Sequence, residues 1–275
     1  MDVRYAIVDG IKTYYLEEGP RESKDSLQNI MFVHGFLSRG QSFDKLMNGL
    51  SGKFKSFAPD LPGNGASENP KNFKPGFRQY STFLRNFCSE LGIKRIVLAG
   101  DSMGGAISLM TAVMYPELVS KVILIDSVSY NIKPKVSARL ALTPILGSFI
   151  FKKLFKWEMF KSLFMKDIYV ENSKIDRDEL FENYKLFDNP SRREFTYRLM
   201  RAVTDSSEIE AIIPEVKQPV LIIWGEEDKL LPIANARRLE KELKDASLVI
   251  IPGAGHASFD ENPEMAIMAI EKFLS

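Results

Sequence analysis

The 275-residue chain contains a single cysteine, so it can form neither an internal disulfide nor a cysteine-ligated metal centre. That residue, Cys88, lies within an apolar pattern and is predicted to be a buried thiol without a function. An excess of charge of one sign is also lacking. The formal net charge of +1 disfavours binding of nucleic acid through an overall positive field. We therefore expect a reducing compartment and no nucleic-acid partner.

Long apolar runs are missing as well. The first six residues carry charges where a secretory signal needs an apolar stretch. In the central region, the uncharged stretch at residues 140–151 is too short to span a bilayer and contains Pro144 and Gly147. We predict no transmembrane helix and a cytoplasmic protein, with peripheral contact at the inner membrane surface as a further hypothesis.

The chain does contain short apolar runs that alternate with stretches of helical length. Such alternation is typical of an α/β protein whose parallel strands are buried on both faces. This alternation of strands and helices stops between Asp126 and Pro214, where amphipathic segments of helical character follow one another. We predict an α/β core at residues 1–127 and 214–275, with a helical insertion at residues 128–213. The predicted strands of the core are residues 29–33, 96–99, 122–125, 220–224 and 248–251.

The strongest chemical signal is the G-x-S-x-G sequence Gly100-Asp101-Ser102-Met103-Gly104, which follows one predicted strand and precedes a predicted helix. A nucleophilic serine must project from a sharp turn between strand and helix, and small neighbours allow the chains to approach there. The amino terminus of the helix also offers the Met103 N–H to a developing oxyanion. We predict that Ser102 is a nucleophile.

A serine hydroxyl needs a base, and the chain has only two histidines. His256 lies in a glycine-rich loop after the last predicted strand, whereas His34 directly follows an early strand. Only His256 follows Ser102 in the order serine, acid, histidine that is typical of this motif. We predict His256 as general base and acid. For His34 a structural role is favoured, with its ring bonded to neighbouring loops.

Three carboxylates follow the predicted strand at residues 220–224, and one of them should orient the histidine. We predict Asp228 for this task and expect Glu226 and Glu227 to be solvated. Asp126, which ends the preceding predicted strand, is the rival candidate.

A tetrahedral intermediate needs a second backbone donor besides Met103. Phe36 is the predicted donor, because the preceding Gly35 lets the loop after the early strand turn close to the nucleophile. His34, Gly35 and Phe36 are accordingly predicted to form the substrate-binding loop.

Taken together and in this order, the motifs resemble the α/β-hydrolase superfamily over nearly the whole chain. The resemblance implies an eight-stranded, mostly parallel sheet flanked by helices, with a helical cap inserted after the sixth strand. The motifs that carry it are Phe32-Val33-His34-Gly35-Phe36, Asp60-Leu61-Pro62-Gly63-Asn64-Gly65-Ala66-Ser67, Ala99-Gly100-Asp101-Ser102-Met103-Gly104-Gly105, Ile223-Trp224-Gly225-Glu226-Glu227-Asp228 and Gly253-Ala254-Gly255-His256.

Within the superfamily the chain looks most like the lipase and carboxylesterase branch that includes the monoacylglycerol lipases. Haloalkane dehalogenases and epoxide hydrolases use an aspartate where this chain has Ser102. Hydrolases of carbon–carbon bonds in dienoic diketone acids share the serine but usually carry a tryptophan after the catalytic histidine, where this chain has Ala257. The resemblance implies a serine esterase or lipase that needs no cofactor and no metal.

Three alternatives remain open beside the esterase. They are the carbon–carbon hydrolase, an esterase acting on methyl esters of an acyl-carrier protein, and a ligand receptor that keeps the fold without catalysis. The substrate of the favoured enzyme is a small carboxylic ester or an acylglycerol.

The insertion is basic and apolar at once. Residues 129–166 contain eight lysines or arginines against one acid, Glu158, together with many large apolar side chains. One interpretation is that the apolar side packs on the core while the lysines are solvated. The other is that the segment rests on an anionic membrane. A second basic cluster could hold an acidic partner or pair with Glu194 and Asp205; it comprises Arg192, Arg193, Arg198 and Arg201.

Overall fold

A computed structural model describes residues 1–20, 28–131, 143 and 146–275. Within these ranges eight strands form one sheet in the order β1-β2-β4-β3-β5-β6-β7-β8. Strands β3 to β8 pair in parallel, whereas β2 pairs antiparallel with both β1 and β4. The strands are β1 Asp2–Val8, β2 Ile11–Glu18, β3 Asn29–Val33, β4 Lys55–Pro59, β5 Ile96–Asp101, β6 Val119–Ile125, β7 Val220–Gly225 and β8 Ala246–Ile251.

Helices cover both faces of the sheet and continue into the region between β6 and β7. Two short π-helical turns, Ile150–Leu154 and Phe164–Ile168, lie among the helices of that region. The α-helices are α1 Asp44–Leu50, α2 Phe77–Glu90, α3 Met103–Met114, α4 Leu146–Phe149, α5 Trp157–Leu163, α6 Arg177–Phe187, α7 Pro190–Val203, α8 Ser207–Ile212, α9 Ile233–Glu242, α10 Ser258–Glu261 and α11 Pro263–Leu274.

The side-chain alternation of the strands divides the core into two layers. In β3, Met31 and Val33 pack with α2 and α3, while Ile30 and Phe32 face α1 and α11. Every residue of β5 and β7 is buried. Strands buried on both faces read as continuous apolar runs, so the sequence located these two correctly. The predicted eight-stranded, mostly parallel sheet flanked by helices is confirmed.

The helices α4 to α7 form the predicted helical cap. Aromatic side chains of these helices and of the π-helical turns between them build a separate cluster, in which Phe151 and Phe160 are buried together with Leu37 of the loop after β3. A bidentate ion pair between Arg39 and Glu179, with Nε–Oε1 and Nη2–Oε2 distances of 3.0 and 2.6 Å, ties the same loop to α6. The cap is therefore fastened beside the carboxyl ends of the strands. Its bounds at residues 128 and 213 stay a prediction.

The basic cluster on α7 is arranged differently from the sequence expectation. Arg193 is only 3% exposed and bonds Asp188 at 2.6 Å and the carbonyls of Phe151 and Phe155 at 3.0 and 2.6 Å. Arg192 donates to the Ser67 carbonyl at 2.7 Å.

The predicted acidic partners of the cluster are engaged elsewhere. Glu194 pairs with Lys152, and Asp205 accepts hydrogen bonds from Asn131 and Ser207. The predicted pairing of the arginines with these two acids is thus wrong. Helical spacing cannot show that Arg193 points inward and closes the turn at residues 151–155.

The apolar side chains of the cap divide between its interior and its surface. Phe151 and Phe160 are buried, whereas Leu154 is 51% and Met159 is 46% exposed. Of the basic residues in the predicted patch, Lys133, Lys135 and Arg139 lie outside the described residues. None of the helices in the described part of the chain has the length and apolar content needed to cross a bilayer.

Candidate active site

Ser102 occupies a strained turn between β5 and α3. Its backbone has φ 52° and ψ −116°, a conformation that costs a non-glycine residue free energy. Hydrogen bonds hold the turn in place: the Ser102 N–H donates to the Ile125 carbonyl at 2.9 Å, and the Ser102 carbonyl accepts from the Val128 N–H at 3.0 Å. The hydroxyl is thereby presented at the carboxyl edge of the sheet.

Two glycines of the motif make this turn possible. A Cβ at Gly104 would overlap the carbonyl oxygen of Val33, and a Cβ at Gly100 would overlap that of Gly104. Helix α3 can therefore approach β3 and β5 only because these positions lack side chains.

The three predicted residues meet in one hydrogen-bonded chain. His256 Nε2 lies 2.9 Å from Ser102 Oγ, and His256 Nδ1 lies 2.8 Å from Asp228 Oδ2. Asp228 Oδ1 accepts from the N–H groups of Leu230 and Leu231 at 2.8 and 2.9 Å, which orients the carboxylate. The Asp228 side chain is fully buried and that of His256 nearly so.

The rival acid lies beside this chain without joining it. Asp126 Oδ1 accepts from the Gly225 N–H at 2.8 Å, and Oδ2 accepts from the Ser258 hydroxyl at 2.6 Å. It thus bridges β7 and α10. Glu226 and Glu227 are exposed, in agreement with the solvated face expected for them.

Burial and charge oppose each other at His256. Burial alone would lower the pKa of the imidazole, but the hydrogen bond and charge of Asp228, with the charges of Asp101 and Asp126, raise it to about 9. Burial in turn raises the pKa of Asp101 to about 7 and that of Asp126 well above its ordinary value. The site therefore concentrates carboxylates around one imidazole.

His34 is a structural residue in this structure. Its ring is wholly buried, with Nε2 accepting from the Leu61 N–H at 3.0 Å. Nδ1 then carries the proton and donates to the Gly35 carbonyl at 2.9 Å. Burial lowers the pKa of His34 to about 4, which keeps the ring neutral. A ring enclosed between two loops fits the structural role favoured for His34, and its place among the substrate-binding residues stays a prediction.

The other residues of the loop after β3 lie against the nucleophile. A Cβ at Gly35 would come within 3.1 Å of Ser102 Cβ and 2.9 Å of Asp101 Oδ2, so only glycine fits comfortably. Phe36 is half-buried and contacts both the core and the cap clusters. Met103 is the first residue of α3, where the N–H has no acceptor within the helix. The oxyanion role of Phe36 and Met103 stays a prediction.

Two carboxylates of the site had no predicted role. Asp101 is 8% exposed, and its Oδ1 has no hydrogen-bond partner among the described residues. Glu261, five positions after His256, is 4% exposed and bonds three backbone N–H groups. Its partners are up to 91 positions away, so no local pattern could have revealed it. Across the described ranges, no group of three or more His, Cys, Asp or Glu side chains could hold a metal ion.

The model of the serine aminopeptidase S33 family matches residues 24–263. The chain belongs to this family of α/β-hydrolases.

The hydrolase has relatives along its whole length. It is 31% identical over 277 aligned positions to YugF, an uncharacterised hydrolase of Bacillus subtilis, which covers 99% of this chain and 97% of the relative. It is 26% identical to Lipase 1 of Psychrobacter immobilis over 93% of this chain and 78% of that protein. A meta-cleavage product hydrolase of Pseudomonas fluorescens shares its fold, with a TM-score of 0.79 at 20% identity over 98% and 97% of the two chains. The predicted superfamily and the assignment as a hydrolase are confirmed.

Substitution of Asp228 should lower activity, whereas substitution of Asp126 should lower stability. In Asp228→Asn the fold is kept but the imidazole loses its orienting charge, so kcat should fall about a thousandfold to ten-thousandfold. In Asp126→Asn a buried acceptor is lost, so the free energy of unfolding should fall by about 1–3 kcal/mol while folded enzyme keeps most of its activity. Ester kinetics and urea unfolding of both variants provide the check. A larger loss of kcat in Asp126→Asn than in Asp228→Asn would contradict the assignment.

The charge around His256 predicts an alkaline pH profile. A general base must be neutral, so activity is lost as pH falls through its pKa. The acid limb of kcat/KM should therefore have its midpoint above the ordinary histidine value of 6.5, toward about 9. Asp101→Asn removes one of the raising charges and should move the midpoint to lower pH. A wild-type midpoint at or below 6.5 would contradict the electrostatic account.

Proposed function

We propose that this hydrolase cleaves carboxylic esters through an acyl-enzyme on Ser102. The observation that carries the proposal is the uninterrupted hydrogen-bonded chain from Ser102 Oγ through His256 to Asp228, with distances of 2.9 and 2.8 Å. A hydroxyl, an imidazole and a buried carboxylate in this order can generate an oxygen nucleophile and return its proton to a leaving group.

The steps follow from the positions of the atoms. As Ser102 Oγ attacks the carbonyl carbon, its proton passes to His256 Nε2, and the negative charge of Asp228 stabilises the resulting imidazolium. His256 then protonates the departing alkoxide, so the alcohol leaves and the acyl group remains on Ser102. A water molecule enters, loses a proton to His256 and attacks the acyl carbon. Collapse of that intermediate releases the carboxylic acid and restores the serine.

The negative charge of each tetrahedral intermediate needs donors that are already in place. The N–H groups of Met103 and Phe36 are the proposed pair. Met103 is supported by its position at the start of α3, and Phe36 by the contact of Gly35 with Ser102. Backbone donors need no reorganisation during the reaction.

The likeness to Lipase 1 and the aromatic lining of the cap support an ester with an apolar acyl group. Phe36, which contacts both the core and the cap, is the proposed wall of the acyl site. The substrate class is a small carboxylic ester or an acylglycerol.

Two alternative substrates receive less support. A carbon–carbon hydrolase would use the same triad, but Ala257 stands where such enzymes usually have tryptophan. Docking of an acyl-carrier protein would need a cluster of exposed arginines, whereas Arg193 is buried, Arg192 is bonded to the Ser67 carbonyl and only Arg201 of the four is exposed. The ester therefore remains the favoured substrate.

We also propose that the cap makes peripheral contact with anionic lipid. Large apolar side chains protrude from it, with Phe149 56% and Leu154 51% exposed. Lys153 and Lys156 are exposed beside them. Apolar groups that enter the interface, next to lysines that meet lipid phosphates, are the two components of such binding.

Hydrolysis of p-nitrophenyl esters from acetate to palmitate tests the substrate class. The wild-type protein should prefer one range of chain lengths, and Ser102→Ala should lose at least about a thousandfold in kcat, since the nucleophile is removed. Ring-opened dienoates and aminoacyl p-nitroanilides serve as competing substrates. Turnover of either competitor, with no ester cleaved, would overturn the ester proposal.

Flotation with vesicles tests the lipid contact. Lys153→Glu/Lys156→Glu should bind phosphatidylglycerol vesicles at least about tenfold more weakly than wild type, since each basic residue near an anionic surface contributes about 1 kcal/mol. Lys241→Glu/Lys244→Glu is the matched control. These exposed lysines lie before the amino end of β8, whereas the cap lies beside the carboxyl ends of the strands. Equal binding of vesicles by wild type and the cap variant would refute the proposed contact with anionic lipid.

A further inference from the structure

The backbone of the cap lies directly on the loop that carries His256. The His256 N–H donates to the Ile168 carbonyl at 2.8 Å. A Cβ at Gly255 would overlap the same carbonyl oxygen, so this approach depends on glycine at that position. The end of the second π-helical turn and the histidine loop are thus in main-chain contact.

One buried carboxylate bonds both sides of this junction. Glu261 Oε2 accepts from the Gly255 N–H at 2.6 Å, on the histidine loop. Glu261 Oε1 accepts from the N–H groups of Val170 and Glu171, each at 2.9 Å, on the cap. The carboxylate is only 4% exposed. Buried N–H groups that lose their acceptor are costly, so the three bonds resist separation of the two segments.

Neighbouring side chains reinforce the same contact. The Tyr169 hydroxyl donates to Asp260 Oδ2 at 2.6 Å, and Lys174 Nζ donates to the Glu261 carbonyl at 2.7 Å. Both bonds run from the cap to α10, two to five positions after His256. The cap is therefore joined to the histidine loop by side chains and by main chain.

We propose that Glu261 is a positioning residue that fixes the orientation of His256 by fastening the cap to the histidine loop. It touches neither a reacting atom nor the triad itself. It acts through the backbone of Gly255 and through the cap segment whose Ile168 carbonyl holds the His256 N–H. This inference rests on the proposed chemistry of Ser102 and His256, and it means that movement of the cap alters the geometry of the base.

The variant Glu261→Gln isolates this role. The amide keeps the size of the side chain, but its NH2 group must face at least one of the N–H donors, so the junction loosens. Displacement of a catalytic group by up to about 1 Å lowers the reaction rate strongly. We therefore expect the rate of Ser102 labelling by diisopropyl fluorophosphate to fall about tenfold or more. The small probe does not depend on the identity of the substrate. Glu264→Gln, an exposed position on α11, is the matched control and should label like wild type.

Amide hydrogen exchange separates loosening of this junction from a general loss of stability, because a general loss would also quicken exchange at the core amides of β5 and β7. The His256 N–H donates to the Ile168 carbonyl and makes no bond to Glu261. In folded Glu261→Gln, hydrogen exchange of the His256 amide should therefore become faster only if the whole junction between the cap and the histidine loop opens. We expect faster exchange at His256 together with slower labelling. Either change without the other, or neither, would overturn the proposal. If Glu261→Gln does not fold, Tyr169→Phe weakens the same junction more mildly and is judged by the same pair of measurements.

The two proposals fail in different ways. Absence of labelling in the wild-type protein would refute the nucleophilic role of Ser102. Unchanged labelling in Glu261→Gln, beside a reactive wild type, would refute the positioning role alone.

Discussion

The site depends on the parallel pairing of the central strands. Because β5, β6, β7 and β8 run in one direction, their carboxyl ends reach the same edge, where Asp101 lies opposite Ile125 and Gly225 opposite Ile251. Ser102, Asp228 and His256 follow three of these ends. Residues more than a hundred positions apart are thereby held within hydrogen-bond distance by the sheet. The loops need to supply only the final orientation, to which the hydrogen bonds of Asp228 and, as we propose, those of Glu261 contribute.

The same edge gathers three carboxyl groups in a buried setting. Asp101, Asp126 and Asp228 surround one imidazole, and burial raises the pKa of Asp101 and of Asp126. Their roles are separated by hydrogen bonding: Asp228 bonds the imidazole, Asp126 joins β7 to α10, and Asp101 lies against Gly35. In a low dielectric each charge acts strongly on His256, so the protonation of the histidine reflects the whole group.

The sequence predicted the features that depend on local pattern. Buried parallel strands are continuous apolar runs, so β3, β5, β6, β7 and β8 were located, and the turn around Ser102 was recognised from its glycines. The eight-stranded count came from the family resemblance. Strands β1 and β2 are partly exposed, and β4 is buried but has the sequence Lys55-Ser56-Phe57-Ala58-Pro59, which is not a continuous apolar run. Features that depend on long-range contact were missed. The inward position of Arg193 and the junction at Glu261 depend on backbone partners in the cap that are 38 to 91 positions away, which no spacing rule contains.

The choice between Asp228 and Asp126 shows the same limit. Both acids follow strands at the same edge, and only the three-dimensional arrangement distinguishes an acid that reaches Nδ1 from one that reaches Gly225 and Ser258. The burial of His34 likewise follows from its enclosure by the loop at Leu61. The sequence pattern identifies the candidate residues, and the three-dimensional contacts distinguish the roles of these candidates.

The proposed reaction requires that Ser102 carries the acyl group during turnover. The most direct measurement is acid quenching of the wild-type protein during hydrolysis of a p-nitrophenyl ester, followed by intact-mass analysis and peptide mapping. An adduct of the acyl mass should appear on the peptide that contains Ser102 and should be absent from Ser102→Ala. Steady ester hydrolysis with the adduct on another residue, or equal turnover by Ser102→Ala, would contradict it.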